Sequence, residues 1–253
     1  MAVSHDGEAP SLVLDGGTGL QRLTRELAGQ PFRGTILLGH LHWDHTHGLP
    51  FFSAGDNPGG RVRLGMPAQG DPVEVLERFM SPPSFPISPT QLRGEWEFVG
   101  LEEGVHRFEG FEVLAREIPH KGGRCFGYRV SDPVGGGVVA YLSDHSPVAL
   151  GDGPEGFGAY HDAAVALAEG ADLLVHDAQH TAEEFEAKKA FGHSAVDYAV
   201  GLGREAGVRT VVLFHHDPPR TDDEVDAILA GLADAGIEVI AAAEGLAVTL
   251  PRQ

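Results

Sequence analysis

The stretch that decides the fold is residues 36–50, ILLGHLHWDHTHGLP. An apolar run of strand type, residues 36–39, ends directly in a cluster of histidine and aspartate side chains. Imidazole and carboxylate groups are ligands that borderline ions such as zinc accept, and no thiolate is needed. A tight loop after a buried strand would direct the first two histidines to one ion and the following aspartate and histidine to a second. The pattern therefore predicts a metal site that contains His40, His42, Asp44 and His45.

The segments around this cluster alternate as they do in α/β proteins. Residues 11–17 and 34–40 predict strands, and residues 19–29, with leucines at helical spacing, predict a helix between them. Residues 53–95 are rich in glycine, proline and serine and predict a surface loop excursion near the site, with one short helix. Short strands from residue 96 onward predict a mostly antiparallel meander, and the last third returns to strand and helix. We expect a single domain over 1–253, in which two halves, each with a sheet and helices, pack face to face.

Composition excludes several classes of protein. The formal net charge of -19 repels polyanions, so a chain-wide nucleic-acid footprint is not expected. The single cysteine, Cys125, excludes an internal disulfide and a cysteine-rich zinc module. The N-terminal residues lack the pattern of a signal peptide, and no apolar run reaches the ~18 residues of a membrane span. The expected location is cytoplasmic.

More candidate residues follow apolar runs at the ends of predicted strands, where a rigid scaffold presents polar groups to a cleft: His120, Asp144, Asp177 and His215. A single histidine in such a position is usually hydrogen-bonded or solvated, so it is the density of the first cluster that favours metal binding. Outside these motifs we expect ordinary packing for Trp43, Phe85 and Tyr141, and a surface position for His161.

With His40-x-His42-x-Asp44-His45 in place, the chain resembles the metallo-β-lactamase-fold hydrolases over nearly its whole length. LVLDGG resembles their first motif, in which Asp15 would be a buried residue that steadies the histidine loop. REIPHKGGRCFGYRV, VVAYLSDHSP and VVLFHHDPP resemble the later motifs, which would supply His120, Asp144 and His215. The resemblance implies an α/β fold class, a four-layer αβ/βα sandwich with the metals at one edge between two sheets.

The resemblance also implies how the ligands divide between the ions. His40, His42 and His120 would hold one metal, and Asp44, His45 and His215 would hold the other. Asp144 and a hydroxide would bridge both. The implied cofactors are two Zn²⁺ ions per chain, with Mn²⁺ or Fe as alternatives. The additional strand with which the family usually opens is not visible before LVLDGG.

Two further stretches resemble ribonuclease Z-like phosphodiesterases. In DLLVHDAQH the acidic residue is Asp177, and in KKAFGHSAVDYAV the histidine is His193, with Ser194 expected as a helix N-cap. In those enzymes the acidic residue orients the histidine, which serves the scissile phosphate. Alone, GHS would indicate only a helix start, but its occurrence after HDA favours the functional interpretation. The long basic arm of ribonuclease Z and the extra cysteines of phosphoribosyl cyclic phosphate phosphodiesterases have no counterpart in this sequence.

The predicted function is a dinuclear zinc-dependent hydrolase, most specifically a phosphodiesterase acting on a small or cyclic nucleotide. Asp44, His193 and Asp177 are the predicted catalytic residues, Asp44 being a metal ligand as well. The alternatives are a ribonuclease Z-like tRNA 3′-processing endonuclease and a thioester or lactone hydrolase on the same metal site. A non-catalytic metal-binding protein is least favoured, because a binder needs no proton donor. The expected binding partner is a small-molecule phosphodiester substrate, and binding to nucleic acid or to a membrane is not expected. A homodimer is suggested only because relatives often form dimers.

Overall fold

The apolar run before the histidine cluster forms the middle strand of a five-stranded sheet in a computed structural model that describes residues 1–251. This sheet belongs to a first unit, residues 1–102 with 107–110, and its strands lie in chain order. The strands are β1 (Ala2–Val3), β2 (Leu12–Leu14), β3 (Arg33–Leu37), β4 (Arg61–Pro67) and β5 (Glu95–Leu101). β1 is antiparallel to β2, and the other neighbours are parallel. The helices of this unit are α1 (Leu20–Glu26), α2 (Trp43–Thr46) and α3 (Pro72–Glu77), with 3₁₀ turns at Leu49–Phe51 and Pro89–Gln91.

A second unit, residues 103–106 with the segment from 111 onward, is built on a seven-stranded sheet. Its strands are β6 (Gly104–Phe108), β7 (Phe111–Glu117), β8 (Phe126–Ser131), β9 (Val138–Leu142), β10 (Leu173–Asp177), β11 (Thr210–Phe214) and β12 (Glu238–Ala241). Their spatial order is β12-β11-β10-β9-β8-β7-β6. The helices are α4 (Asp162–Ala168), α5 (Ala182–Lys188), α6 (Val196–Glu205) and α7 (Asp222–Gly231), with 3₁₀ turns at Pro147–Leu150 and Lys189–Phe191.

Each unit has its own apolar core. In the first unit, Ile36 and Leu38 from the decisive stretch are fully buried among leucine, valine and phenylalanine side chains of the sheet and α1. In the second unit, α4 and α6 cover the sheet, and Leu174 and Val211 lie beneath them. Removing this apolar surface from water is the main stabilising contribution to either unit.

Strand direction brings the candidate residues of the second unit to one edge of its sheet. β9, β10 and β11 are parallel, and Asp144, Asp177 and His215 lie at or just after their carboxyl ends. β7 is antiparallel to β8, which is antiparallel to β9, so β7 runs in the same direction and delivers His120 to the same edge. In the first unit, Asp15 and His40 follow the adjacent parallel strands β2 and β3.

Three expectations about the fold are corrected. Residues 53–95 are not a continuous surface excursion, because β4 lies within them and pairs with β3 and β5. Its RVRLGMP sequence alternates between exposed arginines and buried Val62 and Leu64, a strand pattern that the glycine- and proline-rich flanks obscure. β5 is parallel to β4 and does not join the meander, whereas β7, β8 and β9 are antiparallel as predicted. A short opening strand, β1, is present and pairs with β2.

α4 is not among the elements predicted from the sequence, although its Ala164, Leu167 and Ala168 form a buried face against β7, β8 and β9. Within residues 1–251, no helix is both long enough and apolar enough to cross a membrane. The prediction of one domain over 1–253, and of two halves packed face to face, stays a prediction.

The glycine pair after Asp15 is explained by close backbone contact. A Cβ on Gly17 would lie 2.2 Å from the carbonyl oxygen of Asp44, and a Cβ on Gly48 would lie 1.8 Å from the carbonyl oxygen of Gly17. Backbone hydrogen bonds join Gly16 N–H to the His45 carbonyl oxygen (2.8 Å) and Gly48 N–H to the Gly16 carbonyl oxygen (2.9 Å). The turn formed by residues 15–17 is therefore hydrogen-bonded to the histidine loop and in close backbone contact with it.

We predict that Gly17→Ala lowers the free energy of unfolding by about 1–3 kcal/mol, because the added methyl group must displace backbone of the histidine loop. Gly19→Ala is the matched control, since a Cβ there has no neighbour within 4 Å. Chemical denaturation of both variants measures the difference. Equal unfolding free energies of the two variants would contradict the close backbone contact between Gly17 and the histidine loop.

Candidate active site

A buried carboxylate fixes the histidine loop of the first unit. Asp15 Oδ1 accepts a hydrogen bond from the backbone N–H of Gly39 (2.7 Å), and Oδ2 lies 2.7 Å from Nδ1 of His45. Burial raises the pKa of Asp15, but the charge and hydrogen bonds of His45 and the Gly39 N–H outweigh it and hold that pKa below its ordinary value. The predicted contact between Asp15 and the histidine loop is confirmed, and Nδ1–H of His45 is the donor to an ionised carboxylate.

This hydrogen bond has a consequence for the opposite side of the His45 ring. Nε2, on that opposite side, lies 3.0 Å from Oδ2 of Asp44, a separation at which either a proton on Nε2 or a bound cation must lie between the two atoms. The His40 ring is packed against the rings of His42 and His45, with centroid separations of 4.3 and 4.4 Å. The donor set of this loop thus fits a metal such as zinc.

Asp144 is the centre of the candidate residues in the second unit. It is 1% exposed, and its Oδ2 lies 3.6 Å from Nε2 of His120 and 3.5 Å from Nε2 of His215. Nδ1–H of His120 donates to the carbonyl oxygen of Gly192 (2.8 Å), so Nε2 is the ring atom that faces Asp144. The side-chain amide of Gln179 faces Nδ1 of His215 at 2.9 Å and fixes the orientation of that ring. A buried carboxylate encircled by imidazoles in this way also fits a metal site.

Two of the candidate residues have left-handed backbone. Asp15 has φ 64° and His215 has φ 56°, each just after the end of its strand. This region is uncommon for residues other than glycine and costs of order 1–3 kcal/mol. Each unit therefore tolerates backbone strain at one candidate residue, Asp15 or His215, where the chain turns away from the direction of the preceding strand.

His193 and Asp177 form a hydrogen-bonded pair beside Asp144. Nδ1 of His193 lies 2.9 Å from Oδ2 of Asp177 and 3.7 Å from Oδ2 of Asp144, and its ring stacks on His215 at 4.8 Å. The ligand atoms of Asp177, His193 and His215 lie within 4.8 Å of one another, so these residues could hold an ion. However, the Asp177 carboxylate already accepts the backbone N–H groups of His145 (3.0 Å) and Gln179 (3.1 Å). Its geometry is that of an orienting group.

A chain of three histidines behind this pair was missed by the sequence analysis. His176 Nδ1 lies 2.7 Å from the Asp177 carbonyl oxygen, His145 Nδ1 lies 2.9 Å from His176 Nε2, and His161 Nε2 lies 2.8 Å from His145 Nε2. Burial lowers the pKa of all three, to about 4 for His176, so the rings are neutral. A neutral chain then has one arrangement of protons, in which each ring donates to the next and His176 donates to the Asp177 carbonyl oxygen.

Three expectations are corrected by these contacts. His161 is not a simple surface residue, because it ends the histidine chain. Ser194 is not the N-cap of α6, a position that Ala195 occupies; its hydroxyl donates to the carbonyl oxygen of His145 (2.7 Å) and so anchors the segment after Asp144. Trp43 is not a packing residue, since it is 69% exposed, whereas Tyr141 is buried as expected.

The chain belongs to the β-lactamase superfamily, whose domain model (Beta-lactamase superfamily domain) matches residues 12–216. It is similar to a ribonuclease Z from Limosilactobacillus fermentum (strain NBRC 3956 / LMG 18251), with 30% identity covering 71% of this chain and 68% of that protein. A similar solved structure is the metallo-beta-lactamase fold protein YhfI from Bacillus subtilis, at 17% identity and a TM-score of 0.69, covering 96% of this chain and 88% of that one. Another is human tRNase Z, short form (ELAC1), at 21% identity and a TM-score of 0.64, covering 99% of this chain and 91% of that one.

These likenesses confirm the predicted α/β class and the metallo-β-lactamase fold. Membership of the superfamily, together with the His/Asp groups in each unit, makes the chain a metal-dependent hydrolase.

The neutral histidine chain predicts a pH dependence of stability. The pKa of His176 falls from an ordinary 6.5 to about 4 on folding, so the unfolded chain binds the proton first and stability is lost as the pH falls through this window. The loss attributable to His176 reaches about 3 kcal/mol. His176→Asn keeps a donor toward the Asp177 carbonyl oxygen but cannot titrate. The unfolding free energies of the parent and of this variant are measured from pH 6.5 to pH 4 in the presence of a metal chelator. The parent should lose about 3 kcal/mol more than the variant over this range. Equal pH dependence of the two unfolding free energies would contradict the prediction.

Proposed function

We propose that the protein is a dinuclear zinc-dependent phosphodiesterase acting on a small or cyclic nucleotide. The observation that carries the proposal is the hydrogen-bonded His193–Asp177 pair. Nδ1 of His193 lies 3.7 Å from Oδ2 of the buried Asp144, and neither His193 nor Asp177 is among the residues that we assign as metal ligands. A site that only bound metal would have no use for an oriented, partly exposed imidazole at this position. Ring orientation by a carboxylate is the usual preparation of a histidine for proton transfer.

The ligand assignment follows from the side chains that each unit prepares. We assign His40, His42 and His120 to one ion, and Asp44, His45 and His215 to the other, with Asp144 shared between them. Support comes from His45 and His120, in which a hydrogen bond at Nδ1 fixes the ring orientation, as is usual for histidines that bind a metal through Nε2. It also comes from the 3.0 Å approach of Asp44 Oδ2 to His45 Nε2, which calls for positive charge at that point. Mn²⁺ and Fe accept the same ligand types.

The residues of the chain have separate tasks in this proposal. Two bound zinc ions would supply Lewis acidity toward the phosphate oxygens and lower the pKa of a bound water. Asp15 holds His45, and Asp44 contributes its carboxylate to the metal site as a ligand with a catalytic role. Asp177 keeps the Nδ1 proton of His193 in place and stabilises the imidazolium form of that ring. His193 then donates a proton from Nε2 to the leaving oxygen, or stabilises the charge that develops in the transition state.

A small substrate is favoured over a polynucleotide by the charge of the chain. At -19, the protein offers no general field for the many phosphates of a folded RNA. The second candidate is a tRNA 3′-processing endonuclease, which is favoured by the 30% identity to a ribonuclease Z. None of the side-chain contacts described above favours hydrolysis of a thioester or lactone at the same site. A cytoplasmic location and a homodimer remain predictions from the sequence.

A panel of substrates tests the proposal. The zinc-loaded protein should hydrolyse cyclic nucleotides or bis-(nitrophenyl) phosphate, and leave a lactone and a β-lactam unchanged. Precursor tRNA should bind weakly, with little of the steep salt dependence that many phosphate contacts produce. Tight, salt-sensitive binding with cleavage at the tRNA 3′ end would establish the endonuclease instead. Turnover of the lactone alone would refute both.

The role of His193 is tested separately from metal binding. His193→Ala should retain two metal ions per chain by elemental analysis and lose about 10²–10⁴-fold in kcat on a phosphodiester. Asp144→Ala is the contrasting variant and should release both ions, because one carboxylate serves both. If His193 is an acid, the loss shrinks for a nitrophenolate leaving group, and an equal loss on all leaving groups indicates electrostatic stabilisation. His193→Ala with parent activity would refute the role.

A further inference from the structure

An exposed aromatic side chain stands between two residues that we assign to the metal site. Trp43 lies between His42 and Asp44 in the chain and is the first residue of α2. Its side chain is 69% exposed, the second largest exposure among the large hydrophobic residues within 1–251. An exposed tryptophan leaves a large apolar area in water, and tryptophan is enriched at interfaces, where that area is covered by a partner.

The Trp43 ring is held in place although it is exposed. His47, the residue that directly follows α2 and lies four positions after Trp43, stacks on it with a centroid separation of 5.3 Å and an interplanar angle of 22°. His47 contacts Phe79 in turn, at 6.1 Å. One face of the indole is therefore supported by the first unit, and an oriented ring loses little entropy when a ligand stacks on its other face.

A surface depression lies beside the indole. It is open and shallow, has a volume of about 370 Å³, and is lined by Leu41, His42, Trp43 and Asp44. Its walls combine an apolar side chain and an aromatic ring with two of the assigned metal ligands, and they contain no cationic side chain. A ligand group that enters here would be planar and apolar, and it would be attached to the group held by the metals.

From this arrangement we propose that the exposed face of Trp43 is the platform on which the nucleobase of the substrate stacks. The inference rests on the proposed phosphodiesterase function and specifies its substrate class as a nucleoside phosphodiester. Stacking on an aromatic side chain recognises any base through its π-face and needs no positive charge, which suits a chain with a net charge of -19. Trp43 thus contributes to substrate affinity and leaves the chemical step to the metal site and His193.

The kinetic test uses two esters with the same leaving group. Thymidine 5′-(p-nitrophenyl phosphate) has a base, and methyl p-nitrophenyl phosphate has none. Trp43→Leu should raise KM for the thymidine ester about 10- to 100-fold with little change in kcat, and change KM for the methyl ester less than about twofold. Trp43→Phe should restore most of the affinity. Phe51→Leu is the matched control, because Phe51 is also exposed but packs edge-on against Phe85 and does not line the depression. Equal losses on both esters, or a loss of metal from Trp43→Leu, would overturn the proposal.

A binding measurement separates this inference from the proposed function. The chain has two tryptophans, and Trp96→Phe leaves Trp43 as the single one, whose emission is selected by exciting beyond the tyrosine absorption band. Trp96 is half-buried, and its indole N–H donates to the Gly55 carbonyl oxygen. Adenosine 5′-monophosphate should quench Trp43 emission with a saturable curve, and ribose 5-phosphate should not. If no diester is hydrolysed but this quenching occurs, the proposed function fails and the base platform stands. If diesters are hydrolysed without quenching, or Trp43→Leu instead dissociates a dimer without changing KM, the platform is refuted.

Discussion

The contact between Asp15 and the loop after β3 is the constraint on which the first half of the site depends. A carboxylate that is 8% exposed loses most of its hydration, and that loss is offset only by good partners. Asp15 finds them in the Gly39 N–H and the Nδ1–H of His45, each at 2.7 Å. The same two bonds fix the start of the loop at Gly39 and the orientation of the His45 ring in its middle. Gly16 and Gly17 allow this approach because any side chain there would collide with the loop.

In the second unit, neutral groups orient the candidate rings, a backbone carbonyl for His120 and an amide for His215. The segment after Asp144 is held by the Ser194 hydroxyl and the Asp177 carboxylate. Behind them, three neutral histidines form one directed chain that ends on the Asp177 carbonyl oxygen. Outer hydrogen bonds of this kind fix ring orientation and basicity, and their loss typically lowers metal affinity 10–100-fold.

The sequence predicts which strand ends carry the candidate site residues, but it predicts few of the hydrogen-bond partners of those residues. Strand ends could be identified because apolar runs stop at Asp15, His40 and His215, and parallel strands collect such residues at one edge. β4 was missed because its signal is only seven residues long and glycine and proline surround it. The histidine chain could not be predicted, since His145 and His161 are separated in the chain and meet only when α4 covers the sheet. His176 did carry a signal: a histidine inside a fully buried strand must find a hydrogen-bond partner.

The charges around the His193 segment limit what the second unit can offer to a phosphate. Lys188 pairs with Asp217 (2.6 Å), Lys189 with Glu186 (2.8 Å) and Arg220 with Glu184 (2.6 Å). Burial raises the pKa of Glu184, but the Thr181 N–H, Arg220 and Lys188 lower it to about 2, so the carboxylate stays ionised and opposes the field of these cations. In the proposed function, phosphate would then be held mainly by the metal ions and by the oriented His193. Because that attraction would be the same for any phosphate ester, discrimination among esters would fall to uncharged contacts, for which an oriented and exposed indole is well suited.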